Sequence, residues 1–219
     1  DFGTGDFCVM GWFKQSATTL YRPIVDRDSA TTAERFTVAI TASNSYVAFS
    51  YDDGGTTLDI LSSHAVDNDT WQFFCGVRSG DDLLLYLNGS LEDSADVSGK
   101  GSISNSTAVL CIGNIARSAK SSVSIENTSL IRISATAPTA EQIAKIYEDE
   151  KFLFQENSQA TLYGSSDSVT AMAYDDDTEL LHVGTSAGRS VFQGLRRVDN
   201  TTDAVGAAIS ASNGLVAED

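Results

Sequence analysis

Along the first two thirds of this chain, apolar and polar side chains alternate in short runs, each closed by a turn rich in Gly, Asn or Asp. That period of two, broken every 8–12 residues or so, constrains the fold more than any other feature. In Arg35-Phe36-Thr37-Val38-Ala39-Ile40, the side chains of Phe36, Val38 and Ile40 share one face. In Trp71-Gln72-Phe73-Phe74-Cys75-Gly76-Val77-Arg78, the residues Trp71, Phe73, Cys75 and Val77 do the same. Asp52-Asp53-Gly54-Gly55, Ser79-Gly80-Asp81-Asp82 and Asn88-Gly89 are the turn signals between such runs. The segment from Phe7 to Lys14 is apolar on both faces, Phe7, Val9 and Phe13 on one and Cys8, Met10 and Trp12 on the other. Such a strand is expected to be covered from both sides. The pattern predicts an all-β, antiparallel sandwich, with the rings of Trp12, Trp71 and Phe73 filling the space between two sheets about 10 Å apart.

One helix interrupts the rhythm. Thr139 with Gln142 fits a capping box, and Pro138 discourages an earlier helical turn. Ile143, Ile146, Tyr147 and Phe154 mark the apolar stripe of a short helix that closes the sandwich, with Glu148, Asp149 and Glu150 on the wet side. The sandwich is thus expected over residues 1–154 and a smaller β-rich tail over residues 155–219, with the junction at Asn157-Ser158-Gln159-Ala160-Thr161. In the tail, Ser168 to Tyr174, a turn at Asp175-Asp176-Asp177, Leu180 to Thr185 and Ser190-Val191-Phe192 resemble one blade of a β-propeller. A lone blade cannot bury both faces. The tail is therefore expected to serve as an assembly or linker segment, and its last stretch, residues 204–219, to be extended or mobile.

Thirty acidic against fourteen basic residues give a formal charge of -16. That excess repels phosphate backbones and anionic bilayers, which argues against nucleic-acid binding and membrane docking. No run approaches the roughly 18 apolar residues of a spanning helix. The chain begins with Asp1 rather than Met and is read as a piece of something longer. Three cysteines, Cys8, Cys75 and Cys111, lie far apart in apolar runs. They are expected to be buried free thiols, a Cys75–Cys111 bridge between neighbouring strands remaining open as the alternative.

Several segments carry a family resemblance. Asp1-Phe2-Gly3-Thr4-Gly5-Asp6-Phe7 with Gly11-Trp12-Phe13-Lys14, then Trp71-Gln72-Phe73-Phe74 through Leu85-Tyr86-Leu87-Asn88-Gly89, resemble laminin-G-like, concanavalin A-like domains. So do Leu110-Cys111-Ile112-Gly113, Leu130-Ile131-Arg132-Ile133 and the Thr139–Tyr147 region, and the pieces come in the family's order. The resemblance implies a jelly-roll β-sandwich. One departure stands out: the strand that normally precedes Phe7–Lys14 and pairs near Ile131 is absent, which leaves an edge open or paired elsewhere. In style the chain is similar to sandwich modules of bacteriophage tail fibres and other virion proteins. That similarity implies a virion or extracellular location, a structural or adhesion role with host-surface glycans as ligands, homo-oligomers (trimers above all) and contacts with other virion proteins.

Concanavalin A-like sandwiches include glycoside hydrolases, which need two carboxylates facing each other across the scissile bond. The Glu-x-Asp-x-x-Glu strand of the family's retaining glucanases does not occur here. Glu92, Asp93 and Asp96 are the nearest cluster and read as turn acids. The two histidines, His64 and His182, fall on opposite sides of the junction, and no Gly-x-Ser-x-Gly elbow is present. Calcium is the one metal to weigh, with Asp26-Arg27-Asp28, Asp52-Asp53, Asp67-Asn68-Asp69 and Asp175-Asp176-Asp177 as candidates. Ordinary turn chemistry is the favoured reading of each. The expectation is a non-catalytic module with no catalytic, metal or cofactor residue assigned and its ligand contacts unassigned; a glycan-active hydrolase and a bacterial adhesin are the alternatives.

Overall fold

The structure, a computed structural model, describes residues 2–16, 20–29, 33–116, 125, 127–155, 161–165 and 168–219. The chain divides into two compact units, Asp1–Tyr147 and Glu148–Asp219. Among the described residues no helix is long and apolar enough to cross a membrane.

The first unit holds β1 (Phe7–Lys14), β2 (Arg22–Asp28), β3 (Arg35–Ile40), β4 (Val47–Asp52), β5 (Leu58–Leu61), β6 (Trp71–Ser79), β7 (Asp82–Leu87), β8 (Ser90–Asp96), β9 (Val109–Ile112) and β10 (Asn127–Ser134). They form two five-stranded sheets, ordered β10-β1-β6-β7-β8 and β5-β4-β3-β2-β9. All the pairings are antiparallel. Between the sheets, Phe7, Val9, Phe13, Phe74, Leu83 and Leu85 of the first meet Phe36, Val38, Ile40, Phe49 and Ile60 of the second. Full burial of such side chains stabilises by about 1.5–3 kcal/mol each. Phe49 lies against the backbone of Gly76, where a Cβ would come within 2.9 Å of the ring. Only glycine admits that approach.

Trp12 and Phe73 are buried, but not between the sheets, and here the sequence expectation needs correcting. Parity puts Cys8, Met10 and Trp12 on one face of β1, level with Val77, Cys75 and Phe73 of β6. The core takes the other face, so this set points outward, where α1 (Ala140–Glu150) covers it. Tyr147 of α1 stacks on Trp12 at 5.7 Å between centroids and lies 6.2 Å from Phe73. The two sheet residues are themselves 5.5 Å apart. Trp71, at the start of β6, is only half-buried. The capping box is present in both directions: Gln142 N–H donates to Thr139 Oγ1 at 3.3 Å, and Thr139 N–H to Gln142 Oε1 at 2.9 Å. Ile143 is the fully buried residue of the stripe, and after Glu150 the chain tightens into a 3₁₀ turn, Lys151–Phe154.

The edge expected to be left open lies along the closing strand: among the described residues no strand pairs with the far side of β10. β10 pairs directly with β1 and forms the sheet margin itself. The register slips between Met10 and Trp12, and Leu130 opposite takes φ +49°. Gly11 sits inside this bulge, where a Cβ would lie 3.1 Å from the Cα of Ile131.

In the second unit, β11 (Val169–Asp175), β12 (Leu180–Thr185), β13 (Gly188–Gln193) and β14 (Arg196–Asn200) form a four-stranded antiparallel meander. The final stretch, expected to be extended or mobile, carries regular structure. It folds into a hairpin, β15 (Ile209–Ser212) and β16 (Leu215–Glu218), turning on Asn213 and Gly214 at φ +52° and +75°. Both values suit a two-residue hairpin turn. Residues 157–160 of the expected junction lie outside the described residues.

Candidate functional site

The two outer faces of the sandwich differ in kind. That of the first sheet is apolar and covered by α1. That of the second sheet is polar. Strand alternation turns Phe36, Val38, Phe49 and Ile60 inward, so their neighbours Arg35, Thr37, Ser50 and Asp59 must face outward. Antiparallel register then aligns a ladder across all five strands, Cys111, Asp26, Thr37, Ser50 and Asp59 in turn. Arg35, level with Asp52 across β3 and β4, lies beside Asp28 and makes a second row.

Hydrogen bonds tie these rows together. Thr37 Oγ1 donates to Asp26 Oδ1 at 2.5 Å, and Ala116 N–H to Asp26 Oδ2 at 2.7 Å. Ser50 Oγ donates to Asp59 Oδ1 at 2.5 Å. Arg35 Nη1 reaches Asp28 Oδ2 at 3.2 Å, and its Nε lies 3.6 Å from Asp52 Oδ2. Asp52 also receives Thr57 Oγ1 at 2.7 Å and Gly54 N–H at 3.0 Å. Asp26 is 3% exposed and Asp28 2%. Burial therefore raises both carboxyls above the usual range, against the hydrogen bonds and the Arg35 charge that pull them down. Tyr21 hangs over the same face. The residue is 43% exposed, and burial, reinforced by Asp26, pushes the phenol up to about 12.

Of the residues singled out in the sequence, Asp26, Asp28 and Asp52 belong to this face, and the others lie elsewhere or serve the fold. Glu92 and Asp93 are not turn acids but residues of β8, where the register slips opposite Leu85 and Tyr86. They reach across to the edge of the second sheet: Asp93 Oδ2 accepts Leu61 N–H at 3.0 Å, and Glu92 Oε2 accepts Ser63 N–H at 2.9 Å. Asp96 closes β8 by accepting Ser98 N–H at 2.7 Å, and hydrogen bonding from the Ser98 hydroxyl, with this N–H, holds its carboxyl below the usual range. His64 meets Ser63 and Glu92 through the same nitrogen, Nδ1, at 3.1 and 3.5 Å. A relay needs the nucleophile on one ring nitrogen and the acid on the other, so this group has no catalytic geometry. His182 is buried on β12 in the second unit with no hydrogen-bond partner for Nδ1, and burial lowers its pKa.

Among the described residues no three His, Cys, Asp or Glu side chains gather closely enough to hold a metal ion. Asp53 accepts Gly55 N–H and Asp175 accepts Asp177 N–H, as turn acids do, and each also accepts an N–H from a distant segment, Gly101 and Gly214 respectively. All three cysteines are free thiols. Cys75 lies on β6 of the first sheet and Cys111 on β9 of the second, so the alternative bridge between neighbouring strands is ruled out. Sequence reasoning missed Tyr21, Thr37, Ser50 and Asp59. The one available signal was Asp26-Arg27-Asp28 directly after Ile24-Val25, acids continuing a strand rather than ending it.

Two antiparallel five-stranded sheets with one closing helix define a jelly-roll sandwich. The family model described as the concanavalin A-like lectin/glucanases superfamily matches residues 1–144, and the chain belongs to that superfamily as a laminin-G-like domain. Comparison with curated protein sequences gives no match. Among solved structures, the chain is similar to the carbohydrate-binding module CBM40 of a Ruminococcus gnavus IT-sialidase bound to α2,3-sialyllactose, with TM-score 0.57 and 12% identity over 65% of this chain and 83% of that one. The binding domain of botulinum neurotoxin DC in complex with SialylT gives TM-score 0.51 and 15% identity over 94% of this chain and 49% of the other. A leech intramolecular trans-sialidase complexed with 2,7-anhydro-Neu5Ac gives 0.58 and 11% over 95% and 36%. At such identities the likeness is one of fold.

Proposed function

We propose that the first unit is a non-catalytic glycan-binding module of an extracellular or virion-surface protein, such as a phage tail fibre, and that its ligand lies on the polar outer face of the second sheet. The carrying observation is the ladder of Asp26, Thr37, Ser50 and Asp59 with the Asp28–Arg35–Asp52 row beside it, buried at Asp26, Asp28, Thr37 and Asp52 and accessible at Ser50 and Asp59, on a sandwich face that no helix covers among the described residues. Sugar hydroxyls are recognised by fixed carboxylates and hydroxyls and by an aromatic side chain, the roles open to Asp59, Ser50 and Tyr21. Fold neighbours that carry sialylated ligands support a carbohydrate as the ligand class.

The charge balance of the face narrows the ligand. Among the described residues, Asp26, Asp28, Asp52 and Asp59 oppose the guanidinium of Arg35, which is already held between Asp28 and Asp52. An uncharged glycan suits this face better than a sialylated one. Acid catalysis has little support there: both oxygens of Asp26 already accept hydrogen bonds, as do both of Asp28, leaving no proton aimed outward.

A panel of neutral and sialylated oligosaccharides titrated against isotope-labelled protein tests the reading. Neutral sugars should shift the amide signals around Ser50 and Asp59, and Asp59→Ala should abolish the response without releasing reducing ends in either protein. Shifts confined to another face, or product release from a polysaccharide, would overturn it.

A further inference from the structure

The sandwich has four sheet edges, and three are defended against pairing with another strand. A free edge presents a row of unpaired N–H and C=O groups, which proteins blunt with charges, bulges or covering side chains. β8 carries Glu92, Asp93 and Asp96. β5 is stapled by two of these acids, which take the N–H groups of Leu61 and Ser63. β10 is bent by the bulge at Gly11, with Leu130 at positive φ, and bears Arg132.

β9 has none of these devices. Its sequence is Val109-Leu110-Cys111-Ile112, and among the described residues it pairs only with β2. Val109 is 55% exposed, Leu110 47% and Ile112 52%. Alternate residues point to opposite faces, so the strand is apolar on both, and among the described residues nothing pairs along its outer edge. Residues 101–116, in the middle of which it lies, contain no charged residue. In a chain with a formal charge of -16, that is a long neutral stretch.

We propose that β9 pairs antiparallel with β9 of a second copy of this chain, joining two five-stranded sheets into one continuous sheet across a two-fold axis. The occupant is argued from charge. Two copies carrying this excess of acid repel wherever charged surfaces meet, and the neutral stretch is where they can approach without that cost. An antiparallel two-fold contact is self-complementary, so each apolar residue of β9 meets another from the same set. Nor does the strand offer a charged determinant that would select a foreign partner.

Sedimentation of the full chain over a wide concentration range tests the pairing. The wild type should shift from monomer to dimer mass with rising concentration. Leu110→Lys and Val109→Lys, on opposite faces of the strand, should each remain monomeric while keeping the wild-type unfolding temperature. Leu215→Lys, at an exposed apolar site in the second unit, should dimerise as the wild type does. Hydrogen exchange supplies a readout that needs no variant: the amides of Val109–Ile112 should gain protection as concentration rises. A wild type that stays monomeric at every concentration overturns the proposal. So does an oligomer that both lysine variants leave intact, and so does concentration-independent protection of β9, which would mean that the chain covers its own edge.

Discussion

Arg78 offers a sharp test of the sandwich energetics, because it is a buried cation that meets no carboxylate among the described residues. It is 3% exposed, its Nη1 donates to the Tyr51 hydroxyl, and its guanidinium lies 5.0 Å from the centroid of the Tyr51 ring. Its Nε has no hydrogen-bond partner. The Tyr51 hydroxyl in turn donates to the Gly101 carbonyl at 2.8 Å. Tyr51→Phe keeps the ring beneath the guanidinium and deletes only the oxygen. It removes one hydrogen bond to a charged group, worth about 1.5–3 kcal/mol, and one between neutral groups, worth about 1 kcal/mol. The expected loss is about 3 kcal/mol, or a fall of about 6–12 °C in Tm for a unit of this size. In an Arg78→Met background only the Gly101 bond remains to be lost, so the same change should cost about 1 kcal/mol, a coupling of about 2 kcal/mol. Trp12 and Trp71, the only tryptophans, both lie in the first unit, so urea unfolding followed by tryptophan fluorescence reports on the sandwich alone. Equal costs in the two backgrounds would refute the reasoning and show that Arg78 is satisfied some other way.

The raised carboxyls of Asp26 and Asp28 set a pH dependence of unusual sign. Each holds its proton more tightly folded than unfolded, so each favours the fold progressively as pH falls from its raised value towards the unfolded value of about 3.9. Asp26→Asn should flatten that part of the stability profile, and carbon NMR should find both carboxyls titrating above the other aspartates; ordinary titration of both would dismiss the effect. Thiol chemistry should separate the three cysteines. Burial raises the Cys8 and Cys75 thiols, whereas Cys111 is partly exposed, so a disulfide reagent should label Cys111 alone in the native protein and all three in denaturant. Rapid native labelling of Cys75 would contradict the covering of that face by α1.

Much of the sandwich was legible where alternation was strict, as in β3 and β6, and the helix was legible from its cap. Parity alone could not say which face of β1 looks inward, since both Phe7-x-Val9 and Cys8-x-Met10-x-Trp12 are apolar. That choice depends on α1, which comes more than a hundred residues later. Charged strands hid for a related reason. Asp26 and Asp28 in β2, and Glu92 and Asp93 in β8, resemble turn chemistry, but the first pair faces a polar outer surface and the second caps a neighbouring edge. The β15–β16 turn carried its Asn213-Gly214 signal openly, while its flanking Ala, Ser and Val were too weak a pattern to read as strands. The candidate face itself is a product of register across five strands, which no local window contains.

The ring of Phe49 seated on the bare backbone of Gly76 acts as a key between the two layers. Sliding one layer along β6 to the next position on the same face would set that ring against Phe74 or Arg78, where no such seat exists. The alignment of the polar surface with the helix-bearing layer behind it is thus keyed in part by a contact to which no polar side chain contributes.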